Sequence, residues 1–513
     1  MSQLHEGTPE YWAEHRPDAP AVVSGERILT YREWNDAADH VAEGLAARGL
    51  QAGDRLGMRF RLAPEWFIVQ RALQKLGATQ VAVNWRLTPD EAIYILHDSG
   101  AKGLACNDID VSEWERHDVG LLVTVGQCAD AVGVRFEDLL ATEPVTPRFG
   151  LARPSLVLYT SGTTGRPRGV PPLDLAAITD HDRLFRYVAA VANVPPYPEN
   201  PVTLLTLPIH HGAGPQIAAA TCEKGGTVVL LDPYDAESAL RLIERHKVKA
   251  WTAVPTMLLR VQKLPEDVLS RYDISSLKAV GVGAATVPHS LKEWIIEHLG
   301  DDVLWEAYGI SEAGMVTFAS PADQLNKPGT SGRPFEGVEI EIVDQDWNRL
   351  PAGEEGEIAV STPVLLRNYL GGDALGEDVI SDGFYRSGDV GYIDSDGYLF
   401  ITDRIKDMII AGGVNIYPAE IEKVIVTHPD VIDAAVIGVP DEDFGEKVLA
   451  FIVPKPGKKP TEEEFAEFFE GRLAKYKSPR EIVFLDELPV NPTGKVLKVE
   501  LRQPYWQGRQ TKI

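Results

Sequence analysis

Amphipathic stretches with helix-start signals alternate with short apolar runs through roughly the first 310 residues. Thr30 and Glu33 form a capping box before a stretch that Gly49 ends, and Pro64 begins a second helix that Gly77 closes. Strands that alternate with helices predict βαβ units and mostly parallel sheets. The predicted strands are residues 80–83, 121–125, 156–159, 202–207, 227–231, 249–254 and 278–282.

The pattern changes near residue 338, where apolar runs become short and turn sequences frequent. This segment predicts a β-rich subdomain. A small α+β unit follows, with predicted helices at 418–427 and 461–473 and strands at 432–439 and 448–453. We therefore expect an α/β protein with a large N-terminal domain, residues 1–403, of mostly parallel sheets flanked by helices. A small α+β domain, residues 404–513, follows it.

Charge and cysteine usage exclude several classes of protein. The 513 residues carry 50 basic and 76 acidic side chains, a net charge of −26, which repels the phosphate backbone of nucleic acids. Cys106, Cys128 and Cys222 lie far apart, which favours neither a disulfide framework nor a zinc site and fits a reducing cytoplasm. No apolar run approaches the roughly 18 residues of a membrane span. The composition is compatible with a homodimer but does not predict the oligomeric state.

The segment 159–169 concentrates glycine and hydroxyl residues directly after a predicted strand. It holds four Ser or Thr residues, three glycines and two arginines. Glycines let the main chain approach a ligand closely, and consecutive N–H groups can bind an anion. A flexible surface loop has a similar composition. The Gly-Lys-Ser/Thr ending of a nucleotide-binding P-loop is absent, so composition alone favours phosphate binding only slightly.

Four further motifs follow in a fixed order. They are Tyr308-Gly-Ile-Ser-Glu312, Tyr385-Arg-Ser-Gly-Asp389, the segment 403–422 that contains Ala411-Gly412-Gly413, and Asn491-Pro-Thr-Gly-Lys495. Together with the 159–169 loop they resemble the adenylate-forming superfamily, which includes acyl-CoA synthetases, peptide-synthetase adenylation domains and firefly luciferase. The resemblance covers essentially the whole chain, and it is strongest to the acyl and aryl acid–CoA ligases.

The resemblance implies a site for ATP. The 159–169 loop is similar to the one that holds the β- and γ-phosphates, Tyr308 would lie on the adenine, and Asp389 would accept hydrogen bonds from the ribose. The implied nucleotide-binding residues are Thr160, Ser161, Gly162, Thr163, Thr164, Gly165, Arg168, Gly283, Ala284, Ala285, Glu306, Ala307, Tyr308, Gly309, Ser311, Asp389, Arg404 and Lys495.

The same resemblance implies catalytic roles. Glu312 would bind Mg²⁺, and Lys495 would bridge the substrate carboxylate and the α-phosphate; Thr160 and His211 complete the implied catalytic set. In isolation these side chains would pass for solvated charges or structural residues. Family members alternate between two orientations of the C-terminal domain, with a hinge that matches Lys406. The second orientation would bring Gly412 and Gly413 to the path of coenzyme A.

The segments expected to form the acyl pocket are small and apolar. They offer no carboxylate for a substrate ammonium group except Glu306 and Glu312, which disfavours an amino acid substrate. His211 follows His210; a metal site lacks a third ligand at suitable spacing, and a structural role stays open. The expected pocket residues are His211, Gly212, Gly214, Val254, Val282, Gly283, Ala307, Gly309 and Met315.

These observations predict an ATP-dependent acid–CoA ligase for an apolar medium- or long-chain, aryl or alicyclic acid, with a role in fatty acid metabolism. An amide bond synthetase, an enzyme that loads a carrier protein, and an inactive nucleotide sensor are the alternatives. The chain departs from the family pattern in three places: Arg168 replaces a lysine, Ser311 replaces a threonine, and Leu173-Asp174 replaces Thr-His.

Overall fold

The structure of the 513-residue chain is a computed structural model. The structure describes residues 5–107, 114, 117, 119–126, 133–145, 148–150, 155–160, 167–283, 287, 289–372, 375–376, 378–404, 407–411, 414–441, 444–470, 472–473, 475–490 and 496–507.

The strands of these residues are, in chain order, β1 (Pro20–Ser24), β2 (Arg27–Thr30), β3 (Arg55–Arg59), β4 (Thr79–Ala82), β5 (Gly103–Cys106), β6 (Leu121–Thr124), β7 (Val134–Arg135), β8 (Leu156–Thr160), β9 (Arg168–Val170), β10 (Val202–Leu205), β11 (Thr227–Leu230), β12 (Ala250–Ala253), β13 (Ala279–Gly283), β14 (Leu304–Ile310), β15 (Gly314–Ala319), β16 (Arg333–Pro334), β17 (Glu339–Val343), β18 (Gly356–Ser361), β19 (Ile380–Ser381), β20 (Phe384–Ile393), β21 (Leu399–Arg404), β22 (Ile409–Ala411), β23 (Val414–Ile416), β24 (Val431–Asp441), β25 (Gly445–Pro454) and β26 (Glu481–Phe484).

The α-helices are α1 (Pro9–His15), α2 (Tyr31–Ala46), α3 (Pro64–Leu76), α4 (Pro89–Ser99), α5 (Phe136–Leu140), α6 (His181–Ala192), α7 (Ala213–Glu223), α8 (Ala236–His246), α9 (Pro255–Gln262), α10 (Glu266–Leu269), α11 (His289–Leu299), α12 (Pro321–Asn326), α13 (Pro418–Ile425), α14 (Glu462–Phe469) and α15 (Lys498–Trp506). Among the described residues, no helix is long and apolar enough to cross a membrane.

Two mostly parallel sheets form the N-terminal part, as the alternating pattern predicts. The seven-stranded sheet has the order β7-β6-β5-β3-β4-β8-β9, and only its β8–β9 pair is antiparallel. The nine-stranded sheet has the order β16-β15-β14-β13-β12-β10-β11-β1-β2, with parallel strands in its centre. The central strands are buried along most of their length, which is typical of parallel sheets.

Helix α3 lies in the apolar core that joins the two sheets. This core contains residues of β1 and β11 from one sheet and of β3 and β6 from the other, together with α2 and α3. Two cations of α3 are buried there: Arg71 bonds Glu10 of α1, and Lys75 contacts Glu10 and Asp39. The pairing satisfies charges that would be costly to bury alone.

The β-rich segment and the C-terminal unit are antiparallel for the most part. Strands β17 to β21 form a five-stranded sheet, in which β20 pairs with β18 on one side and with β19 and β21 on the other. In the C-terminal unit, β22 to β26 form a second five-stranded sheet, with apolar clusters that include α13 and α14 on one side and α15 on the other.

Several element boundaries differ from the prediction by a few residues. Helix α2 ends at Ala46, before Gly49, and α14 ends at Phe469 rather than near 473. Strand β21 extends through Arg404, so the β-rich sheet ends one residue after the predicted domain boundary at 403. The division at 403 and 404 stays a prediction.

Candidate active site

The site lies where parallel strands of both large sheets end. Thr160 ends β8, Gly283 ends β13, and Val254 directly follows β12. His211 lies in the segment between β10 and α7. All four residues line one cavity of about 3690 Å³. Ligands of open α/β sheets bind at this edge because the connecting loops there leave a crevice.

The β8–β9 hairpin is the base of the predicted phosphate loop. Thr160 pairs with Arg168 in the hairpin, and both residues line the cavity. The Tyr94 hydroxyl donates to the Pro167 carbonyl at 3.2 Å, and the Leu370 N–H donates to the Gly169 carbonyl at 2.7 Å. The hairpin base is therefore held on both sides. Ser161, Gly162, Thr163, Thr164 and Gly165 lie outside the described residues.

Glu312 occupies the turn between β14 and β15. The turn is tight: a Cβ atom at Gly309 would lie 2.7 Å from the Gly314 carbonyl oxygen, so only glycine fits there. The Leu366 N–H donates to the Glu312 carbonyl at 2.6 Å, and the Tyr369 hydroxyl donates to Glu312 Oε1 at 2.9 Å. Glu312 and the exposed Ser311 beside it line the cavity.

Asp389 is a buried carboxylate in β20 that lines the same cavity. The Tyr308 hydroxyl donates to its Oδ2 at 2.7 Å, and Arg404 is its partner in the β20–β21 register. Unlike Ala307 and Gly309, Tyr308 is not among the described residues that line the cavity. The predicted contact of the Tyr308 ring with adenine stays a prediction.

The Glu306 carboxylate is engaged in the protein interior. Lys292 forms an ion pair with it, and Gln324 donates a 3.2 Å hydrogen bond to Oε2. Burial raises the pKa of this carboxyl, although Lys292 opposes the effect. Glu306 also lines the cavity, and its role in nucleotide binding stays a prediction. No local pattern in the sequence predicts the pairing of Glu306 with Lys292.

The buried His210 and the half-buried His211 form a pair beside the cavity. Their ring centroids lie 4.7 Å apart, and only His211 is among the residues that line the cavity. Burial lowers both pKa values, to about 3 for His210, where the neighbouring His211 and Arg86 add to the effect. Within the described residues, the Nε2 atom of His211 is buried without a hydrogen-bond partner. Both rings are therefore neutral at pH 7.

The remaining predicted pocket residues divide into two groups. One residue, Gly214, is not among those that line the cavity; it lies in α7, where a Cβ atom would be 2.5 Å from the Pro208 carbonyl oxygen. The residues that do line it are Gly212, Val254, Val282, Gly283, Ala307, Gly309 and Met315. Ala284, Ala285, Lys406, Gly412, Gly413 and Lys495 lie outside the described residues.

The structure adds residues that the motifs did not indicate. Leu184, Val188 and Val191 of α6 line the cavity, and their spacing of three to four residues could have marked this helix as amphipathic. Tyr369 also lines it, but no local pattern distinguishes this tyrosine from a surface residue. Asp174, one of the departures, accepts a hydrogen bond from the Ala176 N–H at 3.0 Å and so caps a short 3₁₀ turn.

Comparison with known proteins identifies the family of this chain. Residues 9–370 match the AMP-binding enzyme family, and residues 420–495 match the AMP-binding enzyme C-terminal domain. The chain is 33% identical to the fatty acid–[acyl-carrier-protein] ligase ScoC of Streptomyces coeruleorubidus, over 99% of this chain and 97% of the relative.

Two solved structures share the fold along nearly the whole chain. The amide bond synthetase McbA from Marinactinospora thermotolerans superposes with a TM-score of 0.81 at 28% identity, over 95% of this chain and 97% of McbA. The o-succinylbenzoate coenzyme A synthetase MenE from Bacillus subtilis, in complex with ATP and magnesium ion, gives 0.79 at 29% identity, over 96% and 98%. Because the family match spans more than half of the chain and the fold agrees throughout, the chain belongs to the AMP-binding, adenylate-forming enzymes.

Proposed function

We propose that the protein activates an apolar carboxylic acid as acyl-AMP and then transfers the acyl group to coenzyme A. The observation that carries the proposal is the single cavity that joins the phosphate-loop hairpin, Glu312 and Asp389 to an apolar region. ATP and an acid bound in these two parts would have their reacting ends side by side, which is the main requirement for joining them.

Glu312 fits the role of a Mg²⁺ ligand. Magnesium in nucleotide enzymes keeps several waters and takes only one or two carboxylates together with phosphate oxygens. The carboxylate of Glu312 lines the same cavity as the phosphate-loop hairpin, and this arrangement matches that mode. A bound divalent cation would neutralise phosphate charge and increase the electrophilicity of the α-phosphorus.

In the first half-reaction, a carboxylate oxygen of the acid attacks the α-phosphorus. The new P–O bond forms as the bond to the bridging oxygen of the β-phosphate breaks, and pyrophosphate leaves. Arg168 and the N–H groups of its loop would hold the departing phosphates, Asp389 would hold the ribose, and Lys495 would screen the two approaching anions. These roles rest on the family resemblance and on the positions of Arg168 and Asp389 in the cavity.

The acyl group would occupy the apolar region between α6 and α7. Side chains from both helices line it, and the lining continues to Trp12 of the N-terminal segment. The residues involved are Leu184, Val188, Val191, Ala192, Ile217 and Ala220. Such a lining suits an apolar medium- or long-chain, aryl or alicyclic acid, because burying apolar surface supplies the binding free energy.

In the second half-reaction, the thiol sulfur of coenzyme A would attack the acyl carbon, and AMP would leave. Tyr417, Phe444 and Trp506 from the C-terminal part line the same cavity, which supports access from that side. The similarity to ScoC favours a carrier-protein thiol as a second candidate acceptor, and the similarity to McbA favours an amine as a third. All three acceptors share the acyl-AMP intermediate.

Pyrophosphate release against a panel of carboxylic acids, with ATP and Mg²⁺, tests the proposal. Each acid is assayed with and without coenzyme A, and products are identified by mass. We expect one apolar class to give turnover that rises with coenzyme A and a product with the mass of the acyl-CoA. Pyrophosphate release without acyl-CoA would support adenylation and show that coenzyme A is not the acceptor. No release with any acid would contradict the proposal.

A further inference from the structure

The segment from Leu366 to Leu370 connects the two parts of the candidate ATP site. At one end the Leu366 N–H donates to the Glu312 carbonyl at 2.6 Å, and at the other the Leu370 N–H donates to the Gly169 carbonyl at 2.7 Å. The predicted metal ligand and the phosphate-loop hairpin, which are far apart in the sequence, are therefore attached to one short stretch of main chain.

Tyr369 lies between these two attachments and contacts both parts through its side chain. Its hydroxyl donates to Glu312 Oε1 at 2.9 Å, and the guanidinium carbon of Arg168 lies 5.3 Å from its ring centroid. A cation at this distance from a ring is attracted by the ring's electron density. One side chain thus contacts the predicted metal ligand with its polar end and the phosphate-loop cation with its face.

A second tyrosine supports the first. The side chain of Tyr385 in β20 interacts with that of Tyr369, and both rings are half-buried. Burial and the Glu312 carboxylate raise the pKa of Tyr369 to about 12, so its hydroxyl keeps its proton at physiological pH. Tyr369 is therefore a permanent donor to Glu312 rather than a titrating group.

We infer that Tyr369 is a positioning residue that orients Glu312 for the divalent cation and couples it to Arg168. The inference rests on the proposed function, because it assumes that Glu312 binds the metal of a metal–nucleotide complex. A monodentate ligand uses one carboxylate oxygen, and a hydrogen bond to the other oxygen fixes the rotation of the group. Partners of this kind typically change metal affinity about 10–100-fold when removed.

The test is metal binding rather than turnover. Mn²⁺ replaces Mg²⁺ as a paramagnetic probe, and its affinity for the complex of the full chain with α,β-methylene-ATP is titrated by electron paramagnetic resonance. Tyr369→Phe removes the hydroxyl but keeps the ring beside Arg168, and we expect Mn²⁺ affinity to fall about tenfold or more. Affinity for the nucleotide in EDTA should stay at the wild-type value.

Tyr272→Phe is the matched control. The Tyr272 hydroxyl donates to Glu237 Oε1 at 2.8 Å, a tyrosine–glutamate hydrogen bond like that of Tyr369, but neither residue is among those that line the cavity. Its Mn²⁺ affinity should equal that of the wild type. Tyr369→Leu, which also removes the ring, should weaken nucleotide binding in EDTA as well, because Arg168 loses its contact with that ring.

The outcomes separate this inference from the proposed function. Wild-type Mn²⁺ affinity in Tyr369→Phe would overturn the positioning role while leaving adenylation intact. Equal losses of nucleotide binding in EDTA and of Mn²⁺ binding would overturn it too, because they indicate a general distortion. Failure of the wild-type chain to bind the nucleotide with Mn²⁺ would overturn the proposed function and this inference together.

Discussion

The Tyr308 hydroxyl lies 2.7 Å from Asp389 Oδ2 and donates a hydrogen bond to it across 81 positions of sequence. Tyr308 belongs to β14 of the nine-stranded sheet and Asp389 to β20 of the β-rich sheet. The contact therefore joins two sheets that the sequence predicts as separate units. The Asp389 carboxylate is buried, and Asp389 lines the cavity.

Replacement of Asp389 by alanine should weaken ATP binding. The change removes the proposed acceptor of the ribose hydroxyls and leaves the Tyr308 hydroxyl without this partner. Hydrogen bonds to charged groups contribute about 1.5–3 kcal/mol, so we expect KM for ATP to rise roughly 10–100-fold. Asp346→Ala, an exposed turn residue of the same sheet region, is the control and should match the wild type. An unchanged KM in Asp389→Ala would refute the ribose role.

Replacement of Lys495 by alanine should separate the two half-reactions. The resemblance places this side chain against the α-phosphate only during adenylation, and removal of one well-placed positive group typically lowers the rate about 10²–10³-fold. We expect pyrophosphate release to fall by that factor while thioester formation from supplied acyl-AMP stays near the wild-type rate. Lys459→Ala, at an exposed position, is the control. Equal loss in both half-reactions would contradict the proposal of two orientations.

The Lys292–Glu306 pair should contribute to stability independently of function. Both side chains are buried, so Lys292→Met leaves an uncompensated carboxylate and should lower the free energy of unfolding by about 3–5 kcal/mol. The double variant Lys292→Met with Glu306→Gln should recover most of the loss in urea unfolding. Lys247→Met breaks an exposed 3.1 Å ion pair with Asp273 and should lower it by about 1 kcal/mol or less. Similar losses in the two single lysine variants would contradict this account.

Buried His210 should make stability depend on pH. Its folded pKa is lowered by burial, and further by His211 and Arg86, to about 3 from an ordinary value of 6.5. As pH falls below 6.5 the unfolded chain takes up a proton that the folded chain does not, so up to roughly 1.4 kcal/mol of stability per pH unit is lost. Above pH 6.5 the His210 ring is mainly neutral in both the folded and the unfolded chain, so no stability is lost through it.

Melting temperatures at pH 7.5 and 5.5 measure the effect. On acidification the melting temperature of the wild type should fall more than that of His210→Phe, which lacks the titrating ring. Titratable groups that both proteins share contribute equally and cancel in the comparison. His181→Phe, at an exposed position on α6, should follow the wild type. Parallel acid losses in the wild type and in His210→Phe would show that this ring does not carry the pH dependence.

Local signals in the sequence determined most of the secondary structure. The capping box of Thr30 and Glu33 begins α2, Pro64 begins α3, and Gly77 closes α3 in a left-handed conformation. These features depend on neighbouring residues, which is why they can be recognised without the fold. The family was also determined at this level, because five motifs in register are far more specific than any one of them.

Only the tertiary structure decided how side chains are used within the site. Glu306 and Glu312 lie six residues apart in one hairpin, yet Lys292 engages the first and Tyr369 contacts the second. Tyr308 faces Asp389 because β14 lies beside the β-rich sheet. Such contacts join positions tens of residues apart, and their distances follow from how the sheets pack. Periodicity and capping record only what lies within a few residues along the chain.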